Sequence, residues 1–153
     1  MIGSLVLGVL HIAGAALWFG GVLSIAPIVR RSLGFGRDVQ RSAATLAYRF
    51  GWFSGVGTLL SCASGVALIF SHYGGFKGLP PRFHIALTLS ILALLNAFLL
   101  LIPTLSRLKA HAGEEGARTK TEDAVKRLSL ATAFSHLFWF ISLILMFARS
   151  WPS

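Results

Sequence analysis

Acidic side chains are scarce in this sequence. Only five of the 153 residues are Asp or Glu, and charged residues of both signs make up 12% of the chain. A soluble globular domain carries about 25% charged residues, so this composition does not favour a fold surrounded by water. No acidic residue lies in the long apolar segments. We therefore find no paired carboxylates, nucleotide-binding loop or catalytic triad for a soluble substrate.

Sulfur-containing side chains are equally few. Cys62 is the only cysteine, which excludes an intramolecular disulfide and a cysteine-based zinc site. The two methionines are Met1 and Met146. The sequence therefore lacks the methionine-rich segment that soft Cu(I) would favour.

Long stretches without charge dominate the remainder. Hydrophobic residues form 55% of the chain, and each of four charge-free stretches is long enough to cross about 30 Å of hydrocarbon as a helix. The predicted helices are Ile2–Val29, Tyr48–Ser71, Phe83–Ser106 and Leu128–Ala148. We expect an all-α transmembrane four-helix bundle with up-down-up-down topology. The length fits a single domain over residues 1–153.

Basic residues predict the orientation of the bundle. Eleven of the fourteen Lys and Arg residues lie in or beside loops 30–49 and 107–127. The positive-inside rule therefore places these two loops in the cytoplasm of a cell-membrane protein and both termini outside. Because these residues lie after the first apolar run, we expect that run to be a retained span, not a cleaved signal peptide. The basic residues form no separate domain, so we expect the partner to be the bilayer and not nucleic acid.

Small residues in the second span predict close helix packing. Gly57, Ser61 and Gly65 recur at four-residue spacing, a pattern that lets helix backbones approach in lipid. The simplest interpretation is helix packing alone. The alternative is that one gap between helices holds a flat cofactor.

Histidines are the best candidates for chemistry. Imidazole is costly inside a membrane unless it faces protein, water or a cofactor, and four histidines lie in or beside the spans: His11, His72, His84 and His136. Any one of them fits a hydrogen-bonded interior residue. Four in so short a chain favour a bound metal centre.

Depth selects a pair among these histidines. His11 lies nine residues after Ile2, about 13 Å along a helix, and His136 lies eleven residues before Phe147, about 16 Å. We therefore expect His11 and His136 at similar depth in the outer half of the membrane, where two imidazoles from facing helices hold a b-type haem in many bundles. His84 opens the third span nearer the outer face and is the other candidate partner.

Three further residues are candidates for contact with such a haem. Gly14 and Trp18 follow His11 on the same helix face, where the glycine leaves room for a porphyrin edge and the indole can stack on the ring. Arg82 is one of the few basic residues expected outside, and its guanidinium is suited to bind the propionates.

Parts of the chain resemble a known family. The segments His11–Gly21 and Pro27–Arg31, together with Arg49–Phe50 and Arg82–Ala86, resemble the first three helices of copper-resistance D (CopD) proteins and HemJ-type protoporphyrinogen oxidases. The resemblance implies haem b and assigns His11 as a haem residue. HemJ-type proteins have a lysine two positions after the third-helix histidine, where this chain has Ala86, so the resemblance implies haem binding more than porphyrinogen oxidation.

These observations lead to three hypotheses for function. The first is a membrane b-type haem protein with an electron-transfer role, acting with a redox partner or quinone. The second is a CopD-like copper-handling protein, or an ion conduit, that uses the same histidines. The third is an accessory subunit of a larger respiratory complex, and a homo-oligomer is compatible with each.

Overall fold

Nearly all of the described chain is helical. A computed structural model describes residues 2–112 and 118–147. The helices are α1 (Ile2–Ser32), α2 (Arg37–Tyr73), α3 (Pro81–Asn96), α4 (Ile102–His111) and α5 (Arg118–Phe147). A π-helical turn, Ala97–Leu101, joins α3 to α4 in one continuous helix, Pro81–His111. Within the described ranges, four helices are long and apolar enough to cross a membrane. The protein is an integral membrane protein with an all-α four-helix bundle.

The helices extend beyond the predicted spans, mostly at the basic end. The second helix begins at Arg37 instead of Tyr48, the third continues to His111, and the fourth begins at Arg118 instead of Leu128. The prediction used only charge-free stretches, whereas Arg and Lys are good helix formers and allow a helix to continue into water. The predicted end of the fourth helix at Ala148, and residues 113–117 of the second basic loop, lie outside the described residues.

Proline accounts for the irregular turn in the third span. Pro103 has no N–H to donate to the carbonyl of Leu99, and its ring crowds that carbonyl. Ala97–Leu101, shortly before this proline, adopt π-helical hydrogen bonding, in which Ile102 N–H donates to the Ala97 carbonyl. A bulge of this kind displaces the residues that follow it around the helix axis.

Glycines bring α1 and α2 into backbone contact. A Cβ atom on Gly14 would lie 2.6 Å from the Ser61 nitrogen, and one on Gly57 would lie 2.6 Å from the Trp18 nitrogen. The Ser54 hydroxyl donates to the Trp18 carbonyl across the same interface at 3.1 Å. The small-residue pattern of the second span therefore packs against the first helix, as predicted.

A buried amide joins the third span to α5. Asn96 Nδ2 donates to the Ala131 carbonyl at 2.9 Å and to the Ser135 hydroxyl at 2.8 Å. Inter-helix hydrogen bonds of this kind contribute about 0.6 kcal/mol on average in a membrane protein. The first two spans thus pair through small residues, and the third span pairs with α5 through a buried polar contact.

We expect the basic end of the bundle to face the cytoplasm. Gly36 lies between α1 and α2 with open space around it, so Gly36→Cys in a Cys62→Ala background provides a single accessible thiol. An impermeant maleimide should label position 36 only after cells are permeabilised. Lys77→Cys, between α2 and α3, is the matched control and should be labelled in intact cells. Labelling of position 36 in intact cells would show that the topology is the reverse of the one expected.

Candidate cofactor cavity

A partly open cavity of about 290 Å³ lies among the four spans, toward the end of the bundle where α1 begins. Its wall is mainly apolar, with two aromatic rings and a few polar side chains. The lining residues include His11, Ser61, Cys62, Gly65, Ile69, His72, Tyr73, Phe83, Ala86, Leu87, Ser90 and Met146. An apolar cavity with a few convergent polar groups is the usual form of a small-molecule site.

His11 is held in one orientation in this wall. Its Nδ1–H donates to the Ser61 carbonyl at 2.8 Å, which assigns the neutral ring a bare Nε2. A Cβ on Gly65 would lie 3.1 Å from His11 Cε1, so this glycine leaves the space that the imidazole fills against α2. A backbone carbonyl that fixes one ring nitrogen and leaves the other free is the arrangement found behind metal-ligating histidines.

His72 and Met146 line the same cavity as His11. His72 lies seven residues, about 10 Å, beyond Gly65 on the same face of α2. Its Nδ1 and the Ser71 hydroxyl are 3.0 Å apart, which occupies Nδ1. The depth argument from the sequence paired His11 with His136 or His84 and did not include His72. The seven-residue spacing from Gly65, which places both residues on one face of a helix, was the sequence feature that could have identified His72.

His136 lies in a different interface. Its ring packs edge-on against Phe19 of α1, with 5.7 Å between ring centroids. Phe19 is eight residues, about 12 Å, from His11 along α1. The two histidines expected at similar depth therefore lie at different levels, because the estimate assumed that the start of α1 and the end of α5 lie at the same height. His136 Nε2 is buried and has no hydrogen-bond partner within the described part of the chain.

His84 and Arg82 lie at the start of α3, beside the cavity. His84 is exposed and does not line it, whereas the intervening Phe83 does. The Arg82 guanidinium lies 5.2 Å from the centre of the Phe83 ring. Its Nε is buried without an acceptor among the described residues. A donor of this kind next to the cavity is suited to an anionic group on a ligand.

Gly14 and Trp18 belong to the α1–α2 interface. Gly14 contacts the backbone of Ser61, and Trp18 is 4% exposed within the hydrophobic core. Neither residue lines the cavity. The space at Gly14 is filled by α2, so the structure does not place a flat ligand against it.

Single metal-binding side chains, and not a cluster of them, characterise this site. Over residues 2–112 and 118–147, no three His, Cys, Asp or Glu side chains come close enough to hold a metal ion. A haem differs from a bare ion in needing only one or two axial ligands from the protein. Comparisons with models of protein families, with curated proteins and with solved structures found no match to this chain.

Proposed function

We propose that this protein is a membrane-embedded b-type haem protein with an electron-transfer role, and that His11 is an axial ligand. The observation that carries the proposal is the hydrogen bond from His11 Nδ1–H to the Ser61 carbonyl. The neutral ring then has a bare Nε2, and His11 lies in the wall of an apolar cavity. The nitrogen that the carbonyl does not fix is the one that a metal would take.

The cavity suits a large apolar ring that carries acidic groups. Pockets for drug-sized ligands measure about 300–1,000 Å³, and the cavity of about 290 Å³ lies just below that range. Because it is partly open, a planar ligand can extend beyond it. Tyr73 and Phe83 supply aromatic walls. The unpaired Nε of Arg82 supplies a donor for a carboxylate such as a haem propionate.

The second axial ligand is best sought in the same cavity. His84 and His136, the partners proposed from the sequence, do not line it, whereas His72 and Met146 do. We propose His72. The Ser71 hydroxyl donates to the Leu68 carbonyl and so accepts from His72 Nδ1–H, which leaves Nε2 as the nitrogen available to a metal. Ala86, at the position where HemJ-type proteins have a lysine, lies in the cavity wall and has no side-chain atom that could bind a metal.

When bound, haem would supply a one-electron carrier in the membrane. The protein itself would orient one imidazole and exclude water with apolar helices. Arg82 would bind the carboxylates of the haem. The natural partners for such a carrier are a lipid-soluble quinone or a second membrane redox protein.

The direct test is the visible absorption spectrum of the protein purified in detergent from haem-replete cells. We expect sharp α and Soret bands after dithionite reduction, as low-spin six-coordinate haem b gives. A colourless preparation would contradict the proposal and favour an accessory subunit or copper handling.

Copper handling is the second candidate, and one observation favours it. The Cys62 thiol and the Met146 thioether line the same cavity as His11. Soft sulfur ligands together with imidazole select Cu(I). Metal analysis of the same preparation distinguishes the two candidates: stoichiometric copper without haem would support this one, and haem without copper would exclude it.

A further inference from the structure

A second cavity lies on the outside of the bundle, where the π turn and α4 face the third and fourth turns of α5. Its volume is about 220 Å³. One wall consists of Leu99, Leu100, Pro103 and Thr104, and the other of Leu130 and Ala131. Arg107 and Arg127 also line it and lie at its basic end. This groove is distinct from the cofactor cavity. Arg30 Nη2 donates to the Ser129 hydroxyl, which places the groove near residue 30 of α1, about 28 Å along that helix from His11.

The groove combines an apolar floor with a cationic end. Leu99, Leu100 and Leu130 each expose more than half of their surface, as side chains in contact with hydrocarbon do. Both arginines are exposed, and neither forms an ion pair within the described residues. Two guanidinium groups that flank one groove can bind a phosphate through several charge-assisted hydrogen bonds.

The π-helical turn contributes to the wall of this groove. Ala97–Leu101 form a π turn shortly before Pro103 in the third span. A π turn shifts the side chains around it relative to those of a regular helix. Leu99 and Leu100, which belong to this turn, line the groove.

We propose that this groove binds one anionic phospholipid. The phosphate would lie between Arg107 and Arg127, and an acyl chain would lie along Leu99, Leu100 and Leu130 in the direction of the hydrocarbon. Charge complementarity selects the lipid. A zwitterionic headgroup carries its own cation and would gain less from the two arginines, whereas each basic residue near a membrane attracts an anionic lipid surface.

The test uses the full-length protein in neutral detergent, with bound lipid counted by native mass spectrometry. Phosphatidylglycerol, phosphatidylcholine and inorganic phosphate are titrated separately. We expect one phosphatidylglycerol to be retained, with phosphatidylcholine bound far more weakly. Arg107→Gln with Arg127→Gln should weaken phosphatidylglycerol binding by about 30-fold, on the basis of about 1 kcal/mol for each basic residue.

The control removes the same charge elsewhere at the basic end. Arg31→Gln with Arg41→Gln changes two exposed arginines that do not line the groove, and it should retain the bound lipid. Equal losses in the two double variants would show general electrostatic attraction and overturn the proposal. So would equal binding of the two lipids, or displacement of the lipid by inorganic phosphate. If the groove variant does not purify, Arg107→Gln and Arg127→Gln singly provide the same comparison.

Discussion

Gly14→Ala is expected to destabilise the bundle by about 1–3 kcal/mol, the usual cost of forcing extra atoms into a packed interface. The added methyl group would lie 2.6 Å from the Ser61 nitrogen and 2.8 Å from the Gly57 carbonyl oxygen. Both are backbone atoms, so the contact cannot be relieved by a side-chain rotation, and α1 must move away from α2. Gly57→Ala should act in the same way, because it meets the backbone of Trp18 and Gly14. Thermal unfolding in one detergent, followed by tryptophan fluorescence, measures the effect.

Gly20→Ala is the matched control on the same helix. Nothing lies within 4 Å of a Cβ built at Gly20, and alanine is favoured over glycine inside a helix by up to about 1 kcal/mol. Its stability should therefore equal or exceed that of the wild type. If Gly14→Ala and Gly20→Ala unfolded at the same temperature, the close approach of α1 and α2 would be wrong.

His11→Ala is expected to remove most of the bound haem while leaving the helical fold in place. Loss of only a hydrogen-bonding partner behind a ligating histidine lowers metal affinity by about 10–100-fold, so loss of the ligand should cost at least as much. His72→Ala should retain haem but convert the spectrum to a five-coordinate, high-spin form. The measurement is the haem-to-protein ratio together with the visible spectrum of each purified variant.

His136→Ala and His84→Ala are the controls for these two variants. His136 packs on Phe19 in another interface, and His84 does not line the cavity. Both variants should keep the wild-type spectrum. If His136→Ala lost the low-spin spectrum and His72→Ala kept it, the second ligand would be the one chosen from the depth estimate, and the cavity would be the wrong location.

The sequence was sufficient to predict the four helices, because charge-free stretches and the width of hydrocarbon determine where a chain can cross a membrane. It also predicted that Gly57, Ser61 and Gly65 face another helix. The extra turns that begin α2 and α5 were missed, since Arg37–Ala47 carries charge and yet continues α2 without a break. The π turn before Pro103 was also missed, because a proline inside an apolar run signals a kink but not its form.

The grouping of histidines depends on helix heights that sequence spacing does not determine. The depth estimate paired His11 with His136 by counting residues from the ends of α1 and α5. In the structure the level of His11 is set by its contacts with Ser61 and Gly65 in α2, and that of His136 by its contact with Phe19 in α1. The interface glycines determine the height at which α1 packs against α2. For that reason His72, seven residues beyond Gly65, shares the cavity and His136 does not.

The measurement that tests the central claim most directly is the spectrum of His11→Ala with and without added imidazole. If His11 Nε2 is an axial ligand, alanine leaves a hole in the cavity wall of the shape of the missing ring, and free imidazole can enter it and bind the iron. We predict that haem-reconstituted His11→Ala lacks the low-spin spectrum and regains it as imidazole is added, while His136→Ala does not respond. A His11→Ala protein that keeps the wild-type spectrum without imidazole would contradict the assignment of the site.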